Sequence, residues 1–331
     1  MIPATMRAAL VAEGGGVRLV EDRPVPRPRE GEALVRVRAA ALNRADLAVL
    51  AGGRHGAQGG AGATMGMELA GEVVEVGPGV QGLSPGDRVM GSGAGTYADY
   101  AAVDAGRLLP LPRAGMGFDE AATLPVALQT MHDAVITHGA LQPGESVLIQ
   151  GASSGVGLMA LQIARWRGAG LVIGSSTHDE RRARLAGFGA HHAIDSRDPA
   201  WPERVRELTA GKGVDVIVDQ LSGTAMNPNM RAAAVLGRIV NVGRLAGMRG
   251  EFDFDLHALK RIRYEGVTFR TRSPQEVREI VRRMRDDLWP ALADGTLSLP
   301  IAARFPLERI AEAFALMAGN GHFGKIVVTM G

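Results

Sequence analysis

The glycine-rich segment 151–157, Gly-Ala-Ser-Ser-Gly-Val-Gly, has the residue types and the spacing of a turn that binds phosphate. The apolar run Ser146–Gln150 before it predicts a strand, and Leu158–Arg167 after it has apolar residues at helical spacing. Small residues let the backbone approach an anion closely, and a helix N-terminus offers that anion free N–H groups. This context predicts a site for the pyrophosphate of a dinucleotide. Its predicted binding residues are Ser153, Ser154, Gly155, Val156 and Gly157.

Two other kinds of glycine-rich nucleotide site are excluded by the sequence. A P-loop has Lys-Ser or Lys-Thr at the start of its helix, and segment 151–157 has neither pair. A short-chain dehydrogenase has a Tyr that is followed four residues later by a Lys. None of the three tyrosines, Tyr97, Tyr100 and Tyr264, has a Lys at that distance.

The end of the next predicted strand indicates which dinucleotide binds. An NAD site usually has a carboxylate there that accepts from the ribose 2′-OH, whereas this chain has Ser175 and Ser176. Hydroxyl groups can donate to a 2′-phosphate, and Arg181, Arg182 and Arg197 supply positive charge nearby. The pattern predicts NADP(H) as the cofactor. The alternative is that Arg181 and Arg182 belong to a solvated helix face and contact no ligand.

A regular alternation of strands and helices from about residue 124 predicts the sheet that positions this turn. The predicted strands are Ser146–Gln150, Leu171–Ile173, Ala193–Ile194, Asp215–Asp219 and Arg238–Val242. The predicted helices are Leu158–Arg167, Asp179–Ala186, Trp201–Leu208 and Ala225–Leu236. The fold class is therefore α/β, with a doubly wound parallel sheet.

Residues 1–122 predict many short strands between Gly and Pro turns, which is typical of a partly open β-barrel. The tail after Gly266 is expected to return to this barrel. Its predicted elements are the strand Val267–Arg270, the helices Pro274–Arg285 and Leu307–Ala318, and the strand Lys325–Thr329. The predicted domains are thus 1–122 with 267–331, and 123–266.

The composition of the 331-residue chain is that of a globular protein, with 46% hydrophobic and 22% charged residues. The absence of Cys excludes disulfides and zinc sites that contain Cys. A net charge of +2 and only 4% aromatic residues argue against nucleic acid as a partner. The sequence has neither the pattern of a signal peptide nor an apolar run of about 18 residues, so a cytoplasmic location without membrane contact is expected.

Seven groups of residues, spread over nearly the whole chain, form a recognisable set. They are 41–47, 66–71, 85–89, 122–125, 151–157, 259–261 with 269–272, and 324–327. The set resembles the medium-chain dehydrogenase/reductase superfamily, in particular its zeta-crystallin-like quinone oxidoreductases. The resemblance implies a GroES-like barrel domain, a Rossmann domain that binds NADP(H), and a homodimer formed through edge strands of the Rossmann domain.

The resemblance also implies that no zinc is bound. Asn43 stands where zinc-dependent relatives have a Cys ligand, Met67 stands where they have a His, and the Cys-rich lobe is missing. Without a Lewis acid the expected acceptors are compounds that take hydride readily, which are quinones and α,β-unsaturated carbonyls. The alternatives are a reductase of enoyl thioesters and a non-catalytic, NADPH-binding protein of the crystallin or regulatory type.

Further site residues are implied by the resemblance alone. Asn43 and Thr130 are expected beside the nicotinamide, unless Asn43 only caps a helix that begins at Arg44. Other residues are expected along the cofactor; these are Ser196, Leu221, Val242, Gly243, Arg244, Phe269, Arg270 and Lys325. The alternative for Lys325 is an exposed place on an edge strand.

The sequence departs from the family's pattern at Ala48 and Ser196, where many relatives have aromatic residues that contact the cofactor. Arg54, in the glycine-rich segment 52–62, is a candidate to replace the missing polar group toward the substrate. That segment is expected to be either a flexible surface loop or the mobile rim of a cleft. No residue stands out as a general acid, so water is the expected proton source.

Overall fold

The structure is a computed structural model that describes residues 1–56 and 58–331, so Ala57 of the glycine-rich segment lies outside the described residues. The chain divides into two compact units. The first unit contains Met1–Val126, Phe269–Asp294 and Ser298–Gly331, and the second contains Ala127–Thr268 and Gly295–Leu297. The chain therefore leaves the first unit, builds the second, and returns.

Seventeen strands are present in the described residues. They are β1 (Thr5–Val11), β2 (Val17–Pro24), β3 (Glu32–Ala41), β4 (Arg54–His55), β5 (Gln58–Gly59), β6 (Glu68–Val76), β7 (Arg88–Ser92), β8 (Tyr100–Asp104), β9 (Leu108–Pro110), β10 (Ser146–Ile149), β11 (Leu171–Ser175), β12 (His192–Ile194), β13 (Val214–Asp219), β14 (Ala233–Asn241), β15 (Arg263–Gly266), β16 (Ile301–Pro306) and β17 (Lys325–Thr329).

Ten α-helices accompany these strands in the described part of the chain. They are α1 (Arg44–Leu50), α2 (Phe118–Ala122), α3 (Pro125–His132), α4 (Gly155–Trp166), α5 (Asp179–Arg184), α6 (Trp201–Leu208), α7 (Met226–Ala232), α8 (Phe254–Lys260), α9 (Pro274–Ala293) and α10 (Ile310–Ala318). None of the helices formed by residues 1–56 and 58–331 combines the length and apolar character needed to cross a bilayer.

The first unit is built on a sheet with the strand order β16-β17-β3-β6-β7-β9. Strand β17 pairs with the carboxyl end of β3, and β8 pairs with its amino end. Strands β3, β6, β7 and β9 pair antiparallel, whereas β16 and β17 are parallel. Alternate residues of β3, such as Val35 and Val37, are fully buried and pack with Leu69, Tyr97 and Phe314. This core fixes the ends of β3, β6 and β17, where the candidate site of this unit lies.

The second unit is a six-stranded parallel sheet with the order β12-β11-β10-β13-β14-β15. The order reverses between β10 and β13, so the carboxyl ends of these two strands flank the point where doubly wound sheets bind ligands. Central strands are buried on both faces, as in Val216, Ile217 and Val218. The predicted α/β class with a doubly wound parallel sheet is confirmed.

Two predicted elements of the second unit are wrong. The helix predicted for Ala225–Leu236 ends at Ala232, because the Lys260 ammonium binds the carbonyl oxygens of Met230, Arg231 and Ala233 at 2.7–2.9 Å. The chain then continues as strand β14. The strand predicted for Val267–Arg270 lies four residues earlier, as β15, and pairs with β14 as the sheet's edge.

Two predictions for the first unit need correction. The helix predicted for Pro274–Arg285 continues to Ala293, as α9. The glycine-rich segment 52–62 contains the short antiparallel pair β4–β5 in its described residues. The exposed edge position considered for Lys325 is also wrong, since β17 pairs with neighbours on both sides and Lys325 is buried.

Candidate active site

The turn between β10 and α4 has the geometry of an anion site. Ser154 is the N-cap of α4, and its Oγ accepts from the N–H of Gly157 at 3.1 Å. The N–H groups of Gly155 and Val156 belong to the first helical turn, where a helix provides no acceptor of its own. A Cβ on Gly157 would lie 2.6 Å from the backbone of Gly151 and Ala152, so only glycine fits there.

Three buried polar side chains hold this turn from the side of the sheet. Gly151 N–H donates to Ser175 Oγ at 3.0 Å, and that hydroxyl donates to Gln150 Oε1 at 2.5 Å. Gln220 Nε2 donates to the carbonyl oxygen of Gln150 at 2.9 Å. Because these residues end three adjacent strands, the position of the turn is set by the sheet itself. Of the two predicted hydroxyls, Ser175 therefore lies beneath the turn.

The second predicted hydroxyl, Ser176, lies beside the turn. Its Oγ donates to Ser153 Oγ at 3.0 Å, which joins the end of β11 to segment 151–157. Arg182 Nη1 donates to the carbonyl oxygen of Ser176 at 2.9 Å. Arg197 is exposed and binds Asp195, which follows β12, through its backbone N–H and two guanidinium nitrogens. The structure thus brings Ser153, Ser176 and Arg182 together, and a carboxylate accompanies them.

The ends of β13 and β14 bring together four more of the residues that the resemblance implies, which are Leu221, Val242, Gly243 and Arg244. The carboxylate of Asp219 accepts from the N–H of Leu221 at 2.8 Å, and the carbonyl oxygen of Asp219 accepts from the N–H of Val242 at 2.8 Å. A Cβ on Gly243 would lie 2.5 Å from the carbonyl oxygen of Gln220. Burial raises the pKa of Asp219. Arg244 curls back, with Nη1 on the carbonyl oxygen of Val242 at 3.0 Å.

A buried ion pair forms the candidate site of the first unit. Lys325 Nζ lies 2.6 Å from Glu68 Oε1 and 2.9 Å from Asn43 Oδ1, and Asn43 Nδ2 donates to Glu68 Oε1 at 2.8 Å. The second oxygen of Glu68 accepts from the N–H of Val126, in the first turn of α3, at 2.8 Å. Thr130 follows one turn later on α3 and is half-buried. One carboxylate therefore links Asn43, Lys325 and the start of the helix that carries Thr130.

Asn43 also begins α1, as expected from the helix-cap interpretation. Its backbone N–H donates to Asp46 Oδ2 at 2.8 Å, and the Tyr97 hydroxyl donates to the same oxygen at 2.7 Å. Asp46 is fully buried, and this burial raises its pKa to about 6 despite both hydrogen bonds. Asn43 therefore begins α1 and, through its side-chain amide, also contacts the ion pair of Glu68 and Lys325.

The remaining predicted residues lie at the surface or half-buried. Arg54 is exposed on β4, and a Cβ on Gly56 would lie 3.3 Å from the carbonyl oxygen of Arg270, so segment 52–62 approaches Arg270. Phe269 is half-buried beneath the guanidinium of Arg272. Ser196 is half-buried beyond the end of β12.

Two family models match the chain. The alcohol dehydrogenase GroES-like domain matches residues 29–113, and the zinc-binding dehydrogenase domain matches residues 155–286. The chain belongs to the medium-chain dehydrogenase/reductase superfamily. The GroES-like domain expected in this medium-chain dehydrogenase/reductase is thereby confirmed, beside its Rossmann sheet.

Proteins similar to this medium-chain dehydrogenase/reductase include quinone oxidoreductases and polyketide synthases. The quinone oxidoreductase of Pongo abelii is 29% identical over 333 residues, which cover 98% of either chain. A phenolphthiocerol/phthiocerol polyketide synthase chain of Mycobacterium tuberculosis is 33% identical over 305 residues, which are 92% of this chain but 14% of that much longer protein. The native structure of a mycobacterial quinone oxidoreductase matches with a TM-score of 0.86 at 26% identity, covering 98% of this chain and 99% of that one.

The sequence alone assigns no role to four buried polar residues that hold the turn 151–157 and the site around Lys325. Glu68 and Asp46 are carboxylates among apolar neighbours, and that pattern was the available signal that they are buried with partners. Gln150 and Gln220 each follow an apolar strand, as polar residues at a carboxyl edge do. The partners of all four are distant in sequence, so only the fold identifies them.

Proposed function

We propose that the protein is an NADPH-dependent reductase that transfers hydride to a quinone or an α,β-unsaturated carbonyl compound without a metal ion. The observation that carries the proposal is the geometry of the turn 151–157. The N–H groups in the first turn of α4 are available to a phosphate, and no side chain fits at Gly157, in the same turn. Similarity to quinone oxidoreductases along the whole chain supports the choice of acceptor.

The residues present do not fit a catalytic zinc ion. An amide, Asn43, and a thioether, Met67, stand at the positions that resemble zinc ligands, and both are poor ligands for Zn²⁺. The amide oxygen of Asn43 and the carboxylate of Glu68 already bind the ammonium of Lys325. A dication beside that ammonium would meet a like charge, so the proposal includes no step at a metal.

A bound NADPH would supply a hydride, and the acceptor would take up this hydride together with one proton from water. The chain's own residues would bind the cofactor and orient its nicotinamide. Segment 151–157 would hold the pyrophosphate, and Ser176 with the nearby arginines would meet the 2′-phosphate. Glu68 would fix Asn43 and, through Val126, the start of the helix that carries Thr130. Both nicotinamide-side candidates would then be oriented by one carboxylate.

A second candidate function is the reduction of enoyl thioesters. The observation that favours it is the 33% identity with a polyketide synthase chain over 305 residues. The chemistry is closely related, because a thioester carbonyl also activates a conjugated double bond toward hydride.

The test is a turnover assay with purified protein, in which the absorbance of NADPH or NADH is followed against quinones, enones and enoyl thioesters. Oxidation of NADPH by quinones or simple enones is expected. Turnover of thioesters alone would replace the first proposal with the second. Saturable NADPH binding without turnover of any acceptor would contradict both and favour a non-catalytic, NADPH-binding protein.

A further inference from the structure

Asp195 lies at the centre of the charged cluster beside Ser176. The N–H of Ser176 donates to the carbonyl oxygen of Ile194 at 3.1 Å, which places the ends of β11 and β12 next to each other. Asp195 Oδ1 accepts from Arg197 Nε at 3.2 Å, and Oδ2 accepts from Arg197 Nη2 at 2.8 Å. Oδ2 also lies 3.2 Å from Arg182 Nη1, the same nitrogen that donates to Ser176.

The two guanidinium groups are thus bound by carboxylates of the chain itself. Asp179 takes the other nitrogen of Arg182 at 2.5 Å. Two positive charges therefore face two negative ones, and the cluster of these four residues is close to neutral. The ion pair with Arg197 lowers the pKa of Asp195 to about 2, so its carboxylate is charged at neutral pH.

The two carboxylates are not equivalent. The side chain of Asp179 is 83% exposed and lies 3.9 Å from Arg197 Nη2, whereas that of Asp195 is 24% exposed and lies 2.8 Å from the same nitrogen. Water screens the charge of Asp179 more strongly than that of Asp195. A 2′-phosphate that binds here must therefore either displace the Asp195 carboxylate from the arginines or lie next to its negative charge.

We propose that Asp195 is a specificity-determining residue that limits the preference of this protein for NADPH over NADH. Its carboxylate occupies the guanidinium groups that would otherwise bind a 2′-phosphate, and it repels that phosphate by its charge. NADH carries no 2′-phosphate and is not affected. This inference rests on the proposed function, because it assumes that a nicotinamide dinucleotide binds at segment 151–157.

The test is isothermal titration calorimetry of NADPH and NADH with the wild type, Asp195→Asn and the matched control Asp198→Asn. The control removes the same charge three residues later, from a carboxylate that accepts from the N–H of Ala200. Asp195→Asn is expected to tighten NADPH binding by about fivefold at low salt, while NADH changes by less than about twofold. The gain is expected to shrink as ionic strength rises, because screening weakens the repulsion.

A second pair of variants keeps the inference falsifiable if Asp195→Asn rearranges the loop. Arg197→Ala should weaken NADPH selectively, and Asp195→Asn should gain less in that background, since fewer guanidinium groups remain to be released. The fragment 2′,5′-ADP should follow NADPH in every variant. A melting temperature equal to that of the wild type checks that each variant is folded.

The outcomes separate this inference from the proposed function. Weaker NADPH binding by Asp195→Asn, or an equal change for both dinucleotides, overturns the role of Asp195 while leaving the reductase proposal intact. If the wild type prefers NADH and Asp195→Asn shifts the ratio toward NADPH, the inference stands and the predicted cofactor is wrong. If neither dinucleotide binds to the wild type, both this inference and the proposed function are refuted.

Discussion

Glu68 and Lys325 form an ion pair from which water is almost excluded, with exposed side-chain fractions of 0% and 4%. Desolvation of two charges is unfavourable, and their attraction offsets it only when the remaining polar atoms are also satisfied. Here the N–H of Val126 and the amide of Asn43 complete the shell of Glu68. Loss of one partner should therefore be far more costly than loss of both.

This asymmetry gives a first prediction. Glu68→Gln removes the counter-charge that the buried Lys325 ammonium contacts and should lower the free energy of unfolding by about 3–5 kcal/mol. The double variant Glu68→Gln with Lys325→Met removes both charges and should recover at least half of that loss. Urea unfolding of the wild type, both single variants and the double variant measures the coupling. Strictly additive effects would show that the two residues do not stabilise each other.

Asp46 gives a second prediction, with a sign that follows from its burial. The pKa of its carboxyl is about 6 in the folded protein, against an ordinary value of 3.8. The folded protein therefore holds this proton more tightly than the unfolded chain. Ionisation of Asp46 therefore destabilises the folded state. This loss of folding stability is absent below about pH 4, grows between pH 4 and 6, and is complete above pH 6. Each unit by which the pKa is raised corresponds to about 1.4 kcal/mol, so the full loss of stability is about 3 kcal/mol.

The matched variant is Asp46→Asn, because an amide resembles the protonated acid and does not ionise in this range. Other titrating groups are common to both proteins and cancel in the difference. The unfolding free energy of Asp46→Asn minus that of the wild type should rise by about 3 kcal/mol between pH 4 and pH 8. A difference that stays constant over this range would mean that the Asp46 carboxyl titrates normally.

At the scale of elements, the turn between β10 and α4 supplies a third prediction. Gly157→Ala places a methyl group 2.6 Å from the backbone at Gly151 and Ala152, so the turn must shift. Dinucleotide affinity should fall at least tenfold, with some loss of stability, because the N–H groups no longer converge. The control Gly187→Ala, where a Cβ meets nothing within 4 Å, should bind normally. Calorimetric titration with NADPH compares the two, and equal affinities would argue against binding at this turn.

Elements that are fixed by nearby residues were predictable from the sequence. The parallel sheet of the second unit follows from apolar runs such as 216–218 and from the helices between them, and segment 151–157 is contiguous. The end of α7 was not predictable, because it depends on Lys260, nearly thirty residues later. The ion pair of Glu68 and Lys325 was missed for the same reason, since 257 residues separate its partners.

At the scale of the whole molecule, the edge of the second unit's sheet suggests how two copies would associate. Strand β15 has a partner only in β14 among the described strands. Large exposed apolar side chains are concentrated between residues 235 and 264; they are Val235, Leu236, Leu245, Met248, Phe254, Leu259 and Tyr264. Exposed apolar surface beside an unpaired strand edge is typical of an interface.

The fourth prediction is therefore a homodimer formed through this edge. Light scattering after size-exclusion chromatography should give twice the chain mass for the wild type. Leu259→Glu, at a side chain that is 73% exposed, should shift the mass toward a monomer without loss of folding. Trp166→Glu places the same charge at an exposed apolar residue on α4 and should remain dimeric. A monomeric wild type would refute the prediction.

Strand β17 lies between β16 and β3, which gives the first unit a particular order of assembly. During synthesis, the contiguous stretch Ala127–Thr268 leaves the ribosome as a nearly complete second unit and can fold on its own schedule. The first unit cannot be completed earlier, because residues 39–41 of β3 lack their partner strand β17 and Glu68 lacks its counter-ion until residues 325–329 emerge. Throughout that interval an open strand edge is available to other nascent chains, so slow emergence of the last strand should favour aggregation over native assembly.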